Sequence, residues 1–255
     1  MAFSLNKQLL NPTLYQKVQD FWLEGAPRGP IGPSQELQGR WFGVKRTVEE
    51  RVSFDNLCNT NFSAAVNSLK PSLYPLPTTT SYSDEVAHSA AIAAPLYSEF
   101  SSDPLAALSF IILFDQLPRN MFRDDQKLPY FHFDVICRSL IRTMLANNYR
   151  PDLDPSIRFS ISYRMWLYLP LMHSEYLEDH TLFEELFESL RKDTEEAANQ
   201  YTKEFMAAFL AYERMHSDVL KMFGRYPYRN AHIGRESTKE ELEFLAKGPV
   251  FGTQS

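Results

Sequence analysis

The apolar residues of this chain recur every three or four positions over most of its length, which is the spacing of one face of an α-helix. The first such segment follows Asn11 and Pro12, a pair typical of a helix start because asparagine caps and proline suits the first helical position. Gly25 is a stop signal behind it. The apolar side is formed by Leu14, Val18, Phe21 and Trp22. The pattern predicts a first helix over residues 11–24.

Further helices are predicted where this spacing continues behind a start signal. Ser102, Asp103 and Pro104 form one such start, and Asp154 with Pro155 forms another. The predicted helical segments are 41–69, the stretch that starts at 104, 130–147, 155–169, 174–190, 192–223 and a short stretch after 237–240, and the predicted proline-rich loops are 26–40 and 70–83.

Glycine does not occur between Gly43 and Gly224. Folds rich in β-sheet need glycine at hairpins and bulges, so this gap favours helices joined by proline and polar turns. We therefore expect one all-α domain over residues 1–255, with about ten helices packed as antiparallel pairs. The tail at 248–255 is expected to be frayed.

Two of the apolar segments end in proline turns that carry charged and amide side chains. The first turn spans residues 114–120 (Phe-Asp-Gln-Leu-Pro-Arg-Asn) and the second spans residues 223–230 (Phe-Gly-Arg-Tyr-Pro-Tyr-Arg-Asn). Asp115 lies three and four positions after Ile112 and Ile111, so its carboxylate projects from an apolar face. A buried charge is unfavourable unless it is paired or binds a ligand, which makes these turns candidates for a functional site.

Asp115, Arg119 and Arg123 are spaced four apart, so they share one side of a helix if Pro118 only kinks it. One interpretation is a salt bridge at the end of the helix. In the other, Asp115 orients the two guanidinium groups toward an anionic or carbonyl-bearing ligand, because planar donors bind such oxygens well, and Asn120 joins them. The two interpretations are compatible.

A third polar turn lies between two predicted helices, at residues 169–175 (Leu-Pro-Leu-Met-His-Ser-Glu). We expect Pro170 to end one helix and Ser174 to cap the next. His173 would then precede a helix N-terminus, where the helix dipole disfavours the charged imidazole and leaves a neutral group suited to general base catalysis. Glu175 falls in the first turn of that helix, where acidic residues are also common for capping alone.

His216 lies on the apolar stripe of the long helix predicted over residues 192–223. A histidine in such a position is often a hydrogen-bonded core residue. The same helix leads into a turn with four polar candidates, Arg225, Tyr228, Arg229 and Asn230. That continuity supports the alternative, in which His216 belongs to the functional site.

No motif of a bound cofactor is present, because the chain has no glycine-rich phosphate loop and no H-E-x-x-H. It also lacks the G-x-S-x-G elbow of a nucleophilic serine. Glu85 with His88, and Glu213 with His216, do have the i, i+3 spacing used by di-iron helices. The first pair adjoins a proline-rich loop, so we interpret these residues as a surface pair and a core histidine. We expect neither a metal nor a nucleotide cofactor.

The net charge of −6, without any basic run, argues against nucleic acid or an anionic membrane as the main partner. No segment approaches the roughly 18–20 apolar residues that a membrane-spanning helix needs, and the N-terminus does not resemble a signal peptide. Cys58 and Cys137 are too few and too far apart for a disulfide framework. We expect a cytoplasmic protein whose partner is a small organic molecule.

Three segments resemble the DUF924 family, a group of uncharacterised all-helical proteins. Residues 114–123 are similar to its L-D-Q-F-P-R-N-x-x-R motif and residues 167–175 to its F-x-x-P-x-x-H-S-E motif. Residues 216–245 are similar to H-x-x-x-x-x-x-F-G-R-F-P-x-R-N-x-x-x-G-R-x-S-T-x-E-E-x-x-F-L. The resemblance implies a tetratricopeptide-repeat-like fold and no particular function. His180 and Tyr228 depart from the glutamine and histidine that are common in the family.

These residues favour an enzyme of the isomerase, cyclase, lyase or hydrolase type that acts on a small anionic or carbonyl-bearing molecule without metal or nucleotide. His173 is the expected acid or base, and the other candidate catalytic residues are Asp115, Glu175 and His216. The candidate substrate-binding residues are Arg119, Asn120, Arg123, Arg225, Tyr228, Arg229 and Asn230. The alternative is a non-catalytic helical-repeat module that binds a peptide or protein, with the arginine turns locking helix pairs together.

Overall fold

The computed structural model describes residues 5–43, 45–100 and 102–247, and all regular structure in these ranges is helical. The α-helices are α1 (Pro12–Trp22), α2 (Gln35–Phe42), α3 (Val48–Asn67), α4 (Tyr82–Phe100), α5 (Pro104–Ile111), α6 (Leu117–Met121), α7 (Asp134–Ala146), α8 (Ile161–Met172), α9 (Leu177–Thr194), α10 (Gln200–Phe223), α11 (Asn230–Ile233) and α12 (Lys239–Lys247). Two π-helical turns, Ile112–Gln116 and Pro129–Phe133, and two 3₁₀ turns, Pro151–Leu153 and Pro227–Arg229, lie between them. The predicted all-α class is confirmed, whereas the tetratricopeptide-repeat-like arrangement stays a prediction.

Two of the predicted helix starts are formed as expected. The side chain of Asn11 accepts a hydrogen bond from the backbone N–H of Leu14 at 3.0 Å, which caps α1. The side chain of Asp103 accepts from two backbone N–H groups of the first turn of α5. Both caps satisfy N–H groups that have no partner within the helix, and both precede a proline at the first helical position.

The boundary of the first predicted loop, 26–40, is wrong because α2 begins within it. The hydroxyl of Ser34 accepts from the backbone N–H of Leu37 at 3.1 Å, and the helix buries Leu37 and Trp41. The predicted helix 41–69 is therefore split by a turn in which Gly43 and Lys45 have positive φ angles of 66° and 67°. The second predicted loop, 70–83, ends close to the start of α4, a helix that was not predicted and that contains Pro95.

The predicted helix start at Pro155 is also wrong. The carboxylate of Asp154 accepts from the backbone N–H and the hydroxyl of Ser156, which forms a local turn instead of a helix cap, and α8 begins at Ile161. The last predicted boundaries shift as well, because α8 continues past Pro170, α9 spans 177–194 and α10 begins at residue 200. The tail at 248–255, predicted to be frayed, lies outside the described residues.

The centre of the core is formed by α5, the π-helical turn that follows it, and α8. Leu108 and Ile111 of α5 are completely buried, and every residue of α8 is buried, so this helix has protein on all sides. A π-helical turn accommodates an extra residue and changes the direction of the side chains that follow. Asp115, in that turn, is only 1% exposed. The fold thus places a carboxylate in the core.

None of the helices in the described ranges is both long and apolar enough to cross a lipid bilayer.

Candidate functional site

Three polar turns meet at the C-terminal end of α8. His173, the residue that follows α8, places its Nδ1 atom 2.8 Å from Oδ1 of Asp115. Arg229, in the 3₁₀ turn after α10, donates from Nη2 to the backbone carbonyl of His173 at 2.7 Å. The structure therefore brings these three sequence-predicted residues into contact, although Asp115 and Arg229 are 58 and 56 positions from His173 along the chain.

Arg119 points from α6 into the same cluster. Its Nη2 atom lies 2.7 Å from Oδ1 of Asp134, 2.9 Å from Nδ1 of His173 and 3.5 Å from Oδ1 of Asp115. Asp134 begins α7 and is completely buried. Sequence reasoning missed it, because an acidic residue in the first turn of a helix is expected for capping alone.

The electrostatic balance of the cluster keeps Asp115 ionised and His173 neutral at pH 7. Burial would raise the pKa of Asp115, but the neighbouring His173 and Arg119 outweigh it and hold that pKa below its usual value. Burial lowers the pKa of His173, and the positive charge of Arg119 lowers it further, although Asp115 opposes both effects. A neutral imidazole has a lone pair that can accept a proton from a group within hydrogen-bond distance.

The two ring nitrogens of His173 have different surroundings. A neutral imidazole can use Nδ1 either as a donor to Asp115 or as an acceptor from Arg119, but not as both. Because Nη2 of Arg119 already donates to Asp134 and the carboxylate of Asp115 is the stronger partner, we assign the proton of Nδ1 to the bond with Asp115. Nε2 makes no hydrogen bond to the described residues, and the side chain is 16% exposed. Nε2 therefore carries a lone pair without a partner among the described residues, on a side chain that is partly exposed.

Asp115, Asp134 and His173 also have the composition of a metal site. One potential ligand atom of each lies within 4.8 Å of the other two, and two carboxylates with an imidazole suit a divalent cation. The Nη2 atom of Arg119 lies among these atoms, so a guanidinium that is always charged already supplies the positive charge. A metal ion would have to displace it, and the donor set as arranged does not fit one.

The first Glu-x-x-His pair does not form a ligand pair. Its interpretation as a surface pair is wrong for Glu85, which is 2% exposed and accepts hydrogen bonds from Arg138 at 2.5 and 2.7 Å and from Arg142 at 2.7 Å. His88 instead contacts the backbone carbonyl of Asp84. The burial of Glu85 follows from α4, a helix that the sequence pattern did not reveal.

The second Glu-x-x-His pair is also divided between different partners. Glu213 lies 2.6 Å from Nδ1 of His180, whose Nε2 lies 3.1 Å from the hydroxyl of Tyr226. His216 is buried, as its place on the apolar stripe predicted, and its Nδ1 lies 2.9 Å from the carbonyl of Tyr212. The ring of Tyr226 packs edge-on against both histidines.

Two of the predicted ligand-binding arginines are paired with carboxylates of the protein. Arg123 donates to both carboxylate oxygens of Asp55, at 2.6 and 2.8 Å, and to Asn120 at 3.2 Å. Arg225 likewise donates to both oxygens of Glu241, at 2.6 and 2.9 Å. Each of these bidentate pairs joins a residue that follows a helix to a neighbouring helix.

Glu175 and Asn230 hold the turn after α10 in place. Glu175 accepts two hydrogen bonds of 2.8 Å from Arg235, and one of 2.9 Å from the backbone N–H of Tyr226. Asn230 donates to Glu241 at 3.2 Å. Glu175 thus positions the segment that carries Arg229. None of these hydrogen bonds joins the side chain of Glu175 to His173.

Arg229 is enclosed by aromatic rings. Its guanidinium carbon lies 4.5 Å from the ring centroid of Tyr130, 4.7 Å from that of Tyr226 and 5.8 Å from that of Tyr228. Such contacts between a cation and aromatic rings are strongest where water is excluded, and Arg229 is 2% exposed. Tyr130 also lies 5.6 Å from the guanidinium carbon of Arg119, so one ring that sequence reasoning missed touches both cations.

The two best-formed cavities of the described residues lie away from this cluster. The larger, of about 440 Å³, lies between α2 and α3, and the smaller, of about 20 Å³, is lined by side chains that include Tyr149 and Tyr168. Neither of these two cavities is lined by His173, Asp115 or Arg119.

Acid should destabilise the wild-type protein more than a His216→Gln variant. Burial lowers the pKa of His216 from 6.5 to about 3. Between these values the unfolded state binds more protons than the folded state, so stability falls as the pH falls. Between pH 7 and pH 5 this group should account for about 2 kcal/mol of lost unfolding free energy. Urea unfolding at both pH values measures it, with the exposed His88→Gln as control. Equal losses in the wild type and His216→Gln would contradict the prediction.

The fold and the cluster define an all-α protein with a buried Asp–His–Arg site between helix ends. The chain matches a family model described as "Bacterial protein of unknown function (DUF924)" over residues 18–249. The chain belongs to this DUF924 family, as its three motifs predicted.

One solved structure supports the fold assignment. It is the "Structure of Protein of Unknown Function ATU0120 from Agrobacterium tumefaciens", which is similar with a TM-score of 0.58 over 92% of this chain and 98% of that chain. The sequences are 22% identical, so the similarity extends to the fold alone. No curated protein matches the chain.

Proposed function

We propose that this protein is a cytoplasmic enzyme that needs no cofactor and transfers protons to and from a small carbonyl-bearing or anionic organic molecule, with His173 as the acid and base. The observation that carries the proposal is the contrast between its two ring nitrogens. Nδ1 is bonded to the buried carboxylate of Asp115, whereas Nε2 has no hydrogen bond to the described residues, and the side chain is partly exposed. This arrangement suits general acid–base catalysis.

The neighbouring charges suit this role. When Nε2 takes a proton from the substrate, Asp115 stabilises the imidazolium through the Nδ1 hydrogen bond. Arg119 acts in the opposite direction, because its positive charge disfavours the imidazolium and promotes return of the proton to the substrate or product. Isomerisation, cyclisation, elimination and hydrolysis all need such a reversible proton transfer.

The arginines of the cluster act by positioning in this proposal. Arg119, Arg229 and Arg235 carry three positive charges, and Asp115, Asp134 and Glu175 carry three negative charges that pair with them. Because these positive charges are already paired, a polarised carbonyl oxygen of the substrate is a more suitable ligand group than a substrate carboxylate.

A binding module without catalysis is the second candidate, and it has its own support. Arg123 with Asp55 ties α3 to the end of α6, and Arg225 with Glu241 ties the end of α10 to α12. These pairs fasten neighbouring helices together, as the arginine turns of such a scaffold would. In this case the function would depend on an outer surface and not on His173.

Metabolite profiling of cells that carry wild-type protein, His173→Gln or no protein tests the two candidates. For an enzyme, His173→Gln should accumulate the same small molecule as the deletion, while the folded protein remains at wild-type abundance. The exposed His88→Gln is the matched control and should behave as wild type. A His173→Gln profile identical to that of wild type, when the deletion profile differs, would reject catalysis by His173.

A further inference from the structure

A groove between α2 and α3 lies outside the His173 cluster. It is an open concavity of about 440 Å³, a volume within the range of small-molecule sites, and three of its lining side chains are basic. These are Arg40, Lys45 and Arg46, and the one acidic lining residue is Glu50. The groove is therefore a positively charged concavity on a protein whose net charge is −6.

Each charged group of this groove is held differently. Arg40 is fixed by hydrogen bonds to the backbone carbonyls of Trp22 and Glu24. The guanidinium carbon of Arg46 lies 4.0 Å from the ring centroid of Phe54, and its Nη2 donates to the carbonyl of Arg40. These contacts pre-position two cations, so little side-chain entropy would be lost when an anion binds.

Lys45 and Glu50 differ in their availability. Lys45 is exposed and forms no ion pair with the described residues. Its φ angle of 67° is unusual for a residue with a side chain, and such strained residues are concentrated at binding sites. Glu50 instead accepts a hydrogen bond of 2.8 Å from the backbone N–H of Thr47 and completes the cap of α3. Its negative charge is thus partly satisfied by the helix.

We propose that this groove binds a small organic phosphate monoester. The phosphate would lie among Lys45, Arg46 and the hydroxyl of Ser53, because guanidinium and ammonium groups together suit a dianion. The organic part would lie on Leu57, which is 49% exposed, because the ring of Phe54 is already covered by Arg46 and stacked against Phe21. The proposal does not depend on His173.

A fluorescence titration tests the proposal, because the tryptophan cluster of the chain contacts a residue of the groove: the ring of Trp22 lies 6.2 Å from that of Phe54. Trp22, Trp41 and Trp166 form one cluster with ring separations of 5.4 and 4.9 Å, and Arg40 donates to the carbonyl of Trp22. Titration with butyl phosphate should change their emission with a saturable dependence. Inorganic phosphate should bind more weakly, since it lacks the apolar group, and butanol should not bind.

Matched charge reversals locate the site. Lys45→Glu should weaken the binding of butyl phosphate by about tenfold, because one attraction at the surface becomes a repulsion. Lys247→Glu makes the same change at the end of α12 and should leave the affinity unchanged, as should His173→Gln. The proposal is overturned if butyl phosphate produces no saturable signal by fluorescence or calorimetry, or if Lys45→Glu binds it as tightly as wild type. Binding of a glutamate-rich peptide in place of butyl phosphate would also overturn it and assign the groove to a protein partner.

Discussion

Replacing Arg119 with methionine should lower the free energy of unfolding by about 3–5 kcal/mol, because it leaves two buried carboxylates without their shared cation. Asp115 and Asp134 are 1% and 0% exposed, so water cannot replace the lost contact. Arg123→Met is the matched control, since its pair with Asp55 is partly exposed and should contribute about 1 kcal/mol or less. Urea unfolding at pH 7 measures both variants.

The pH dependence of this effect identifies its cause. The wild-type pKa of Asp115 lies below its usual value, so the stability that its charge contributes is present above the pKa of the unfolded chain and is lost as the pH falls through the folded pKa. In Arg119→Met the carboxylate of Asp115 becomes easier to protonate, because the charge of Arg119 no longer lowers its pKa. The destabilisation relative to wild type should therefore shrink below about pH 4. If Arg119→Met lost no more unfolding free energy than Arg123→Met, or if its loss did not depend on pH, Arg119 would not be the essential partner of the two carboxylates.

Replacing Glu85 with glutamine should produce a similar loss of about 3–5 kcal/mol at a second position far from His173 in the sequence. The carboxylate accepts from Arg138 and Arg142, and the hydrogen bonds and charges of these arginines hold its pKa below the usual value although burial would raise it. Arg142 also pairs with Asp179 of α9. Removal of Glu85 leaves two buried guanidinium groups with one carboxylate between them.

The position of Glu85 gives this prediction a specific structural consequence. The network joins α4, α7 and α9, and therefore supports the helix that leads on to α10. Glu178→Gln, an exposed substitution on α9, should change stability by less than about 0.5 kcal/mol. If urea unfolding gave equal values for Glu85→Gln and Glu178→Gln, the network would not be a determinant of stability.

The pairing of the arginines changes what the polar turns mean. The sequence predicted Arg119, Arg123, Arg225 and Arg229 as ligand-binding residues, and each contacts a carboxylate of the protein. A buried guanidinium needs an anion, and in this fold the anions are supplied by neighbouring helices. Besides Nε2 of His173, the buried Nε atoms of Arg119 and Arg229 and Oδ2 of Asp134 have no hydrogen-bond partner among the described residues. The roles of the arginines toward a ligand stay predictions.

Of the three helix starts predicted from a cap residue followed by proline, two are formed. Asn11 and Asp103 cap their helices because the required N–H groups are two or three residues away. Asp154 precedes a proline in the same way but bonds Ser156 instead, and α8 starts later. The helix α4 has a weak apolar stripe and an internal Pro95, so its existence depends on packing against α7.

The sequence by itself determined the all-α class, several helix starts and the presence of acid, imidazole and arginine groups at the ends of apolar helices, because each follows from residues within a few positions of one another. Only the tertiary structure decided which groups pair. Asp134 and Tyr130 enter the cluster because α7 packs against the π-helical turn that holds Asp115 and the π-helical turn before α7 packs beside α6. Nδ1 of His173 meets Asp115 across 58 positions. Burial and pairing of charges depend on how the helices pack together, which the local spacing of residues along the sequence does not specify.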